Sequence, residues 1–371
     1  MKIGVNLVQY IDVQGIEVFT RSILRELVLF KSEDSFVFFV NEKSRKIFDF
    51  PDVKNVNYIV VPVKKFNKLS LIVTQQFLLI KFLKKEKINL LYCPSIAFPF
   101  FYKNKIITVH DCAWARFKDE VGFFSHIYIK LAMYFAKYAT RRIVTVSDFS
   151  KKEIVEIYNI DPQNIDVVYE SAPILPNISG DIISKFPIVK DGVIEQYFFY
   201  IGNFHPRKNL KRVIQAFERF ASENKNFYFI IAGKNKGETF DEISEEVKKR
   251  NLEDKIRFVG RVTDEEKVSL YRSSKGLVFV SLYEGFGLPV LEAQELGVPI
   301  LTSLGSSLPE VAGNGALFAD PYSIDAIYNG MKKLLSLETT EEIIQRGKEN
   351  TKRFSWNKSA KLLAKVLGLE E

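Results

Sequence analysis

The 371-residue sequence holds only two cysteines, three histidines, three methionines and two tryptophans. Cys93 and Cys112 lie in apolar, strand-like surroundings without framework spacing. That excludes a disulfide scaffold and reads as buried thiols in a reducing compartment. No Asp-x-Asp, Cys-x-x-Cys or His-Glu-x-x-His pattern occurs, so nothing advertises a metal site, and no cofactor is expected. The absence of G-x-G-x-x-G and of G-x-x-x-x-G-K-[ST] counts against a dinucleotide oxidoreductase and a P-loop enzyme. No apolar run reaches the roughly 20 residues of a membrane span, and MKIGVNLVQY enters a strand without a charged leader. The expectation is a cytoplasmic protein, soluble or peripheral.

What is present is a globular balance, 47% apolar and 26% charged, which argues against a disordered or fibrous chain. The length exceeds what one core usually fills, so two domains are expected. Of the net charge of +8, residues 1–180 carry an excess of seven positive charges and residues 181–371 of one. Lys64, Lys65, Lys68, Lys81, Lys84, Lys85 and Lys87 flank the apolar run LSLIVTQQFLLIKFL, which could meet an anionic membrane surface or nucleic acid. A solvated helix end is the commoner reading of such a run.

Short runs rich in Val, Ile, Phe and Tyr alternate with helix-length amphipathic segments, the pattern of βαβ units and parallel sheets. First-half strands are expected at KIGVNLV, SFVFFV, NYIVVPV, INLLYC, KIITVH, RIVTVS and IDVVY. Pro173, Pro176 and Pro187 interrupt the alternation, which resumes at YFFYIG. Second-half strands follow at FYFIIAG, KIRFVG, GLVFVS, PILTS and ALFAD. Helices are expected near 208–223, 239–250, 264–273, 288–296 and 323–336, with a last one in WNKSAKLLAKVLGL. The boundaries are 1–175 for the first domain, 176–195 for a linker, 196–353 for the second domain and 354–371 for a helix crossing back to the first.

Four segments carry candidate chemistry. In YEGFGLPVLEAQELGVPI a strand ends, Gly285 and Gly287 loosen a turn, and Pro289 suits a first helical turn. Backbone N–H groups around Phe286, Gly287 and Leu288, with the helix dipole, form an anion site. Glu284 and Glu292 could accept bonds from hydroxyls, although on spacing alone Glu292 is as readily a surface helix residue. In IGNFHPRKNL, Gly202 sits in a strand-to-helix loop with Arg207 and Lys208 at its junction with the helix. Cations there oppose the dipole unless an anion such as a diphosphate shares the spot. His205 reads as structural. KIITVHDCAW ends a strand in His110 and Asp111, where open α/β sheets bind ligands, though a structural histidine is commoner. Gly15 opens a helix after the first strand, as a phosphate-approaching turn would.

In this order, with LLYCPSIAFPF, RRIVTVSDFSKKEI, RFVGRVTDEEKVSLY and SLYEGFGLPVLEAQELGVPILTSLGSSLPEVAGNGALFADP, the chain resembles the retaining GT-B glycosyltransferases of family 4 over most of its length. The resemblance implies two Rossmann-like domains facing across a cleft, acceptor on the first and donor on the second. It implies a retaining, metal-independent transfer of a hexose, mannose or glucose, from a GDP- or UDP-linked donor to a glycan or lipid-linked acceptor; the basic first half and its Lys-flanked apolar run add an expected contact with the inner face of the membrane, and no nucleic acid is expected as partner. Glu284 would meet sugar hydroxyls, Glu292 the ribose, the Phe286–Leu288 amides the sugar and diphosphate, Arg207 and Lys208 the diphosphate, His110 the reacting sugar, and Arg261 with Val262 the base. Ser147 also matches, as support. Gln14 and Glu17 depart from the family's glycine-rich opening turn, while Gly15 keeps it. The rivals are a nucleotide-sugar or polyanion-binding protein without turnover, and a GT-B epimerase or phosphorylase.

Overall fold

The computed structural model describes residues 1–10, 15–176, 186, 189–190 and 193–369. The chain divides into two compact units, Met1–Ser171 with Phe354–Glu371, and Ala172–Arg353. Of residues 176–195, 177–185, 187–188 and 191–192 lie outside the described residues, as does Gln14.

The first unit holds seven strands: β1 (Lys2–Asn6), β2 (Ser35–Val40), β3 (Val56–Val60), β4 (Leu90–Cys93), β5 (Lys105–Thr108), β6 (Arg142–Thr145) and β7 (Ile165–Val167). They pair in parallel in the order β3-β2-β1-β4-β5-β6-β7. β2, β4, β5 and β6 are buried almost throughout, as unbroken apolar runs require when helices cover both faces. A two-stranded antiparallel pair, β8 (Val189–Lys190) and β9 (Val193–Ile194), precedes the second sheet.

That sheet is formed by β10 (Gln196–Ile201), β11 (Phe227–Ala232), β12 (Ile256–Gly260), β13 (Gly276–Phe279), β14 (Ile300–Ser303) and β15 (Leu317–Ala319), parallel in the order β12-β11-β10-β13-β14-β15. Each sheet therefore has one point where successive crossovers run to opposite sides, β1/β4 in the first and β10/β13 in the second. There two loops part at the carboxyl ends of the strands and leave a crevice for ligand.

Strong amphipathicity explains the helix Leu210–Glu223, which buries Val213, Ile214, Phe217 and Phe220 against the second sheet. The helix Trp356–Val366 packs on Gly15–Phe30 within the first unit, Trp356 lying 6.0 Å from Phe19 and Ser359 Oγ donating to the Tyr169 carbonyl at 2.7 Å. Among the described residues no helix is long and apolar enough to cross a membrane. Besides the short helix Leu308–Ala312, a long one was not expected from sequence: Leu337–Thr351 buries only Ile343, Gly347, Asn350 and Thr351, too thin an apolar stripe to announce itself. Polar bonds hold it instead. Asn350 donates to Gln294 Oε1 and the Val311 carbonyl, both at 2.8 Å, and Gln294 donates to the Ala312 and Gly315 carbonyls at 2.9 and 3.2 Å.

This contact depends on glycine. A Cβ on Gly315 would stand 2.4 Å from Gly347 Cα and 2.7 Å from its nitrogen, whereas one on Gly15 would meet nothing within 4 Å. Gly315→Ala is therefore expected to destabilise the chain by about 1–3 kcal/mol, and Gly15→Ala to leave stability unchanged or slightly raised. Urea unfolding of the two variants checks this; equal midpoints would refute the steric account.

Candidate functional site

At the β10/β13 switch the two parting loops are drawn together by a buried ion pair. Beyond β10, Gly202 has no room for a side chain, since a Cβ would lie 2.9 Å from Tyr200 Oη. Pro206–Lys208 makes one 3₁₀ turn, and Asn209 at φ 63° anchors it by donating to the Val280 and Pro321 carbonyls at 3.0 and 2.7 Å. Arg207 and Lys208 thus precede the helix, which begins at Leu210, rather than occupying its first turn. The unfavourable meeting of cation and dipole expected from sequence is avoided. Lys208 Nζ instead donates to both Glu284 oxygens at 2.6 and 2.8 Å, and Arg207 Nη1 lies 3.6 Å from Oε2 while donating to the Tyr283 carbonyl at 3.2 Å.

Glu284 is buried, and burial alone would raise its pKa. Lys208 and Arg207, with bonds from Lys208 and Ser281 Oγ, outweigh that and hold the carboxyl below the ordinary range. The following turn is shaped by Gly287, at φ 110°, where a Cβ would sit 2.6 Å from Leu308 Cδ2. Ser307 Oγ donates to the Glu284 and Phe286 carbonyls at 3.0 and 2.8 Å, fixing the loop that feeds the helix Leu288–Glu295 with Pro289 in its first turn.

Glu292 is a buried, paired carboxylate and not a surface helix residue. Lys267 Nζ donates to Oε1 at 2.8 Å and Tyr271 Oη to Oε2 at 3.1 Å. Burial works against the Lys267 cation, but Glu292 and Asp264 more than offset it and raise its pKa. Burial, then the Glu292 charge, pushes the Tyr271 phenol well above its ordinary value, which keeps it a donor. Arg261 and Val262 follow edge strand β12, and the helix Asp264–Ser273 just beyond them carries Lys267 and Tyr271 toward Glu292.

The first unit presents a different set. Gly15 begins the helix Gly15–Phe30 with open space at its Cβ. His110 lies beyond β5, its Nε2 3.1 Å from the Pro94 carbonyl, its Nδ1 3.8 Å from Glu170 Oε1, and its ring edge-on to Phe19 at 5.0 Å. Asp111 is turned elsewhere, accepting from the Ala113 amide at 3.0 Å, so the carboxylate facing His110 is Glu170 rather than its neighbour in sequence. Ser147 caps the helix Asp148–Tyr158 by accepting from the Ser150 amide, and Ser150 Oγ donates to the His110 carbonyl at 3.0 Å. Glu170, Lys267, Ser281 and Ser307 were missed from sequence; only the strand-end position of Ser281 offered a signal.

Two compact α/β units, each a parallel sheet with one strand-order switch, are the architecture of the GT-B fold class. The family model "Glycosyl transferases group 1" matches residues 186–353 and "Glycosyltransferase Family 4" residues 13–171. The chain is 32% identical to O-antigen chain mannosyltransferase B of Escherichia coli, over 74% of this chain and 72% of that protein. To O-antigen chain mannosyltransferase RfbU of Salmonella typhimurium it is 26% identical, over 71% of this chain and 69% of that one. Among solved structures it is similar to sucrose-phosphate synthase of Thermosynechococcus elongatus, with a TM-score of 0.77, 16% identity and 98% of both chains covered. Anabaena HepE in complex with UDP and glucose superimposes with a TM-score of 0.74 at 15% identity, covering 98% of this chain and 99% of that one. The chain belongs to the family 4, group 1 glycosyltransferases. It is an enzyme that transfers a sugar from a nucleotide-sugar donor to a glycan acceptor, and neither turnover-free binding nor an epimerase or phosphorylase activity is favoured.

Removing one member of a buried ion pair leaves the other charge without compensation, at a cost on the order of 3–5 kcal/mol. Glu284→Gln and Lys208→Met are each expected to destabilise the second unit, and the double variant by less than the sum of the two, with a coupling of about 1–3 kcal/mol. Because the folded-state pKa of Glu284 is depressed, its contribution is full above the unfolded value of about 4.3 and lost as pH falls through the folded value. The stability gap between wild type and Glu284→Gln should therefore shrink in acid. Strict additivity, or a gap that widens toward pH 3, would contradict the pairing.

Proposed function

We propose that the enzyme moves a hexose, mannose by analogy with its named relatives, from a GDP- or UDP-linked donor, with retention at the anomeric carbon and without a divalent metal. The observation that supports this most is the cluster Arg207–Lys208–Glu284 at the β10/β13 switch, two cations held beside the start of the helix Leu288–Glu295. In this reading the C1–O bond to the diphosphate breaks while the acceptor oxygen bonds to C1 on the same face, and the acceptor proton passes to the departing phosphate oxygen. Arg207, Lys208 and the Phe286–Leu288 amides, with Gly202 and Gly287 permitting close approach, stabilise the charge that builds on the leaving group.

Glu284 acts chiefly as a positioning residue, since both its oxygens already accept from Lys208 and one from Ser281. A sugar hydroxyl would join that network as a further donor. Glu292 receives the ribose, Arg261 and Val262 flank the base, Gly15 lets backbone approach phosphate, and His110, steadied by Pro94 and Glu170, works on the reacting sugar. The first unit takes the acceptor, and residues 176–195 link it to the donor-binding unit.

Peripheral contact with the inner face of the membrane fits Phe77, Phe123 and Phe124, which stand 69%, 74% and 84% exposed, with Lys68 reaching Ser125 beside Phe124. Co-flotation with anionic liposomes that is lost at high salt is expected, and no flotation at either salt would remove that part of the reading.

The metal question has a sharp test. A departing diphosphate needs positive charge, which Arg207 and Lys208 supply here in place of a bound cation. With GDP-mannose and UDP-hexoses screened as donors, turnover should persist in EDTA, the product should keep the donor's anomeric configuration by NMR, and Arg207→Ala should lower kcat about 10²–10³-fold. Activity abolished by EDTA and restored by Mg²⁺, with Arg207→Ala near wild type, would overturn the mechanism.

A further inference from the structure

Glu292 is gripped by a second helix to which the mechanism above gives no part. Lys267 and Tyr271 stand one helical turn apart in Asp264–Ser273, so their side chains leave the same face of it. They divide the Glu292 carboxylate between them, Lys267 Nζ donating to Oε1 at 2.8 Å and Tyr271 Oη to Oε2 at 3.1 Å. An ionised carboxylate offers about four lone-pair sites. One on each oxygen is thus used, and one on each is left.

Both donors are themselves held still. Thr263 and Glu266 close a capping box at the start of the helix, with bonds of 3.3 and 2.9 Å, and Val268 and Leu270 are fully buried beneath it. The buried Tyr271 ring stands edge-on to Phe199 of β10 at 5.0 Å, and its hydroxyl lies 3.3 Å from the Pro289 carbonyl. Lys267 is steadied from the solvent side by Asp264 Oδ1 at 3.1 Å. Glu292 keeps 9% of its side-chain surface open. The carboxylate is fixed from behind without being used up.

Stability does not require this arrangement. An apolar residue at 267 and an uncharged one at 292 would leave no buried charge to compensate, and such replacements are often neutral or stabilising. Two adjacent hydroxyls do require it, because their bonds to a carboxylate are charge-assisted and directional, and an acceptor free to swing forfeits the orientation.

We propose that Lys267 and Tyr271 are positioning residues that set Glu292 to receive both vicinal hydroxyls of the donor's ribose, one on each carboxylate oxygen. The proposal rests on the donor reading above and deepens it: discrimination between ribose and a deoxy sugar originates in the helix Asp264–Ser273. That helix begins just beyond Arg261 and Val262, so a single short segment serves both the base and the ribose.

The test titrates GDP and UDP into the full chain by calorimetry and compares the tighter of the two with its 2′-deoxy and 3′-deoxy analogues. Wild type should bind each analogue about tenfold or more weakly, the loss of one hydrogen bond to a charged acceptor. In Lys267→Met and in Tyr271→Phe the ratio should fall to about threefold or less, while affinity for the deoxy analogues stays within about threefold of wild type. Asp264→Asn, at a position 73% exposed that leaves Glu292 paired, should lower the ratio part-way and stands in should Lys267→Met unfold. In turnover these variants should raise the donor KM with kcat within about threefold, the mark of binding shared by ground and transition states. A deoxy penalty absent from wild type, or undiminished in Tyr271→Phe or in every folded Lys267 and Asp264 variant, overturns the proposal alone. So does weakening of ribo- and deoxynucleotides by one common factor, which a purely structural role would give. Failure of wild type to bind either GDP or UDP overturns the donor reading and the proposal with it.

Discussion

The buried pair between Lys208 and Glu284 is the constraint around which the second unit's site is arranged. An ammonium with its side chain this deeply enclosed is costly unless a carboxylate meets it, and the carboxylate is costly without the ammonium. Neither loop can therefore adopt its conformation alone. Asn209 must take a left-handed backbone and grip β13's loop, Ser281 must complete the carboxylate's shell, and Ser307 must pin the carbonyls of Glu284 and Phe286. The glycines follow from the same demand, for Gly287 passes Leu308 at a distance no side chain allows.

A parallel sheet places such a pair where it can work. All strands point one way, so loops that diverge at the switch point present side chains from residues far apart in sequence, here 76 positions. Both units obey this geometry but fill it differently. The second unit gathers compensated charge, which suits an anionic diphosphate. The first sets a histidine between the Pro94 carbonyl and the Glu170 carboxylate.

Much of this was legible in the residues. Unbroken runs such as SFVFFV and YFFYI could only be strands buried on both faces, and both sheets consist of the strands those runs foretold. Glycine, proline and charge at strand ends marked the loops that hold Arg207, Lys208 and Glu284. What could not be read was pairing across sequence. Glu170 is 60 positions from His110, and Lys267 is 25 from Glu292, so no local pattern pointed to either partner. The helix Leu337–Thr351 escaped because buried amide bonds, rather than an apolar stripe, dock it.

The distribution of charge also bears on why the ion pair is worth keeping. Well-packed apolar residues could often replace a buried pair without loss of stability, so stability alone does not explain Lys208 and Glu284. Under the proposed mechanism, a pre-oriented cation does. Charge that grows on a leaving diphosphate is stabilised most by donors already in place, because none of the gain is then spent on reorganising them. Glu284 holds Lys208 in place while Arg207 stays near enough to share the load, and the helix that begins at Leu288 directs its positive end to the same loop. An incoming anion therefore meets two cations whose positions were settled during folding, and the carboxylate between them prevents their mutual repulsion from opening the loop when no anion is bound.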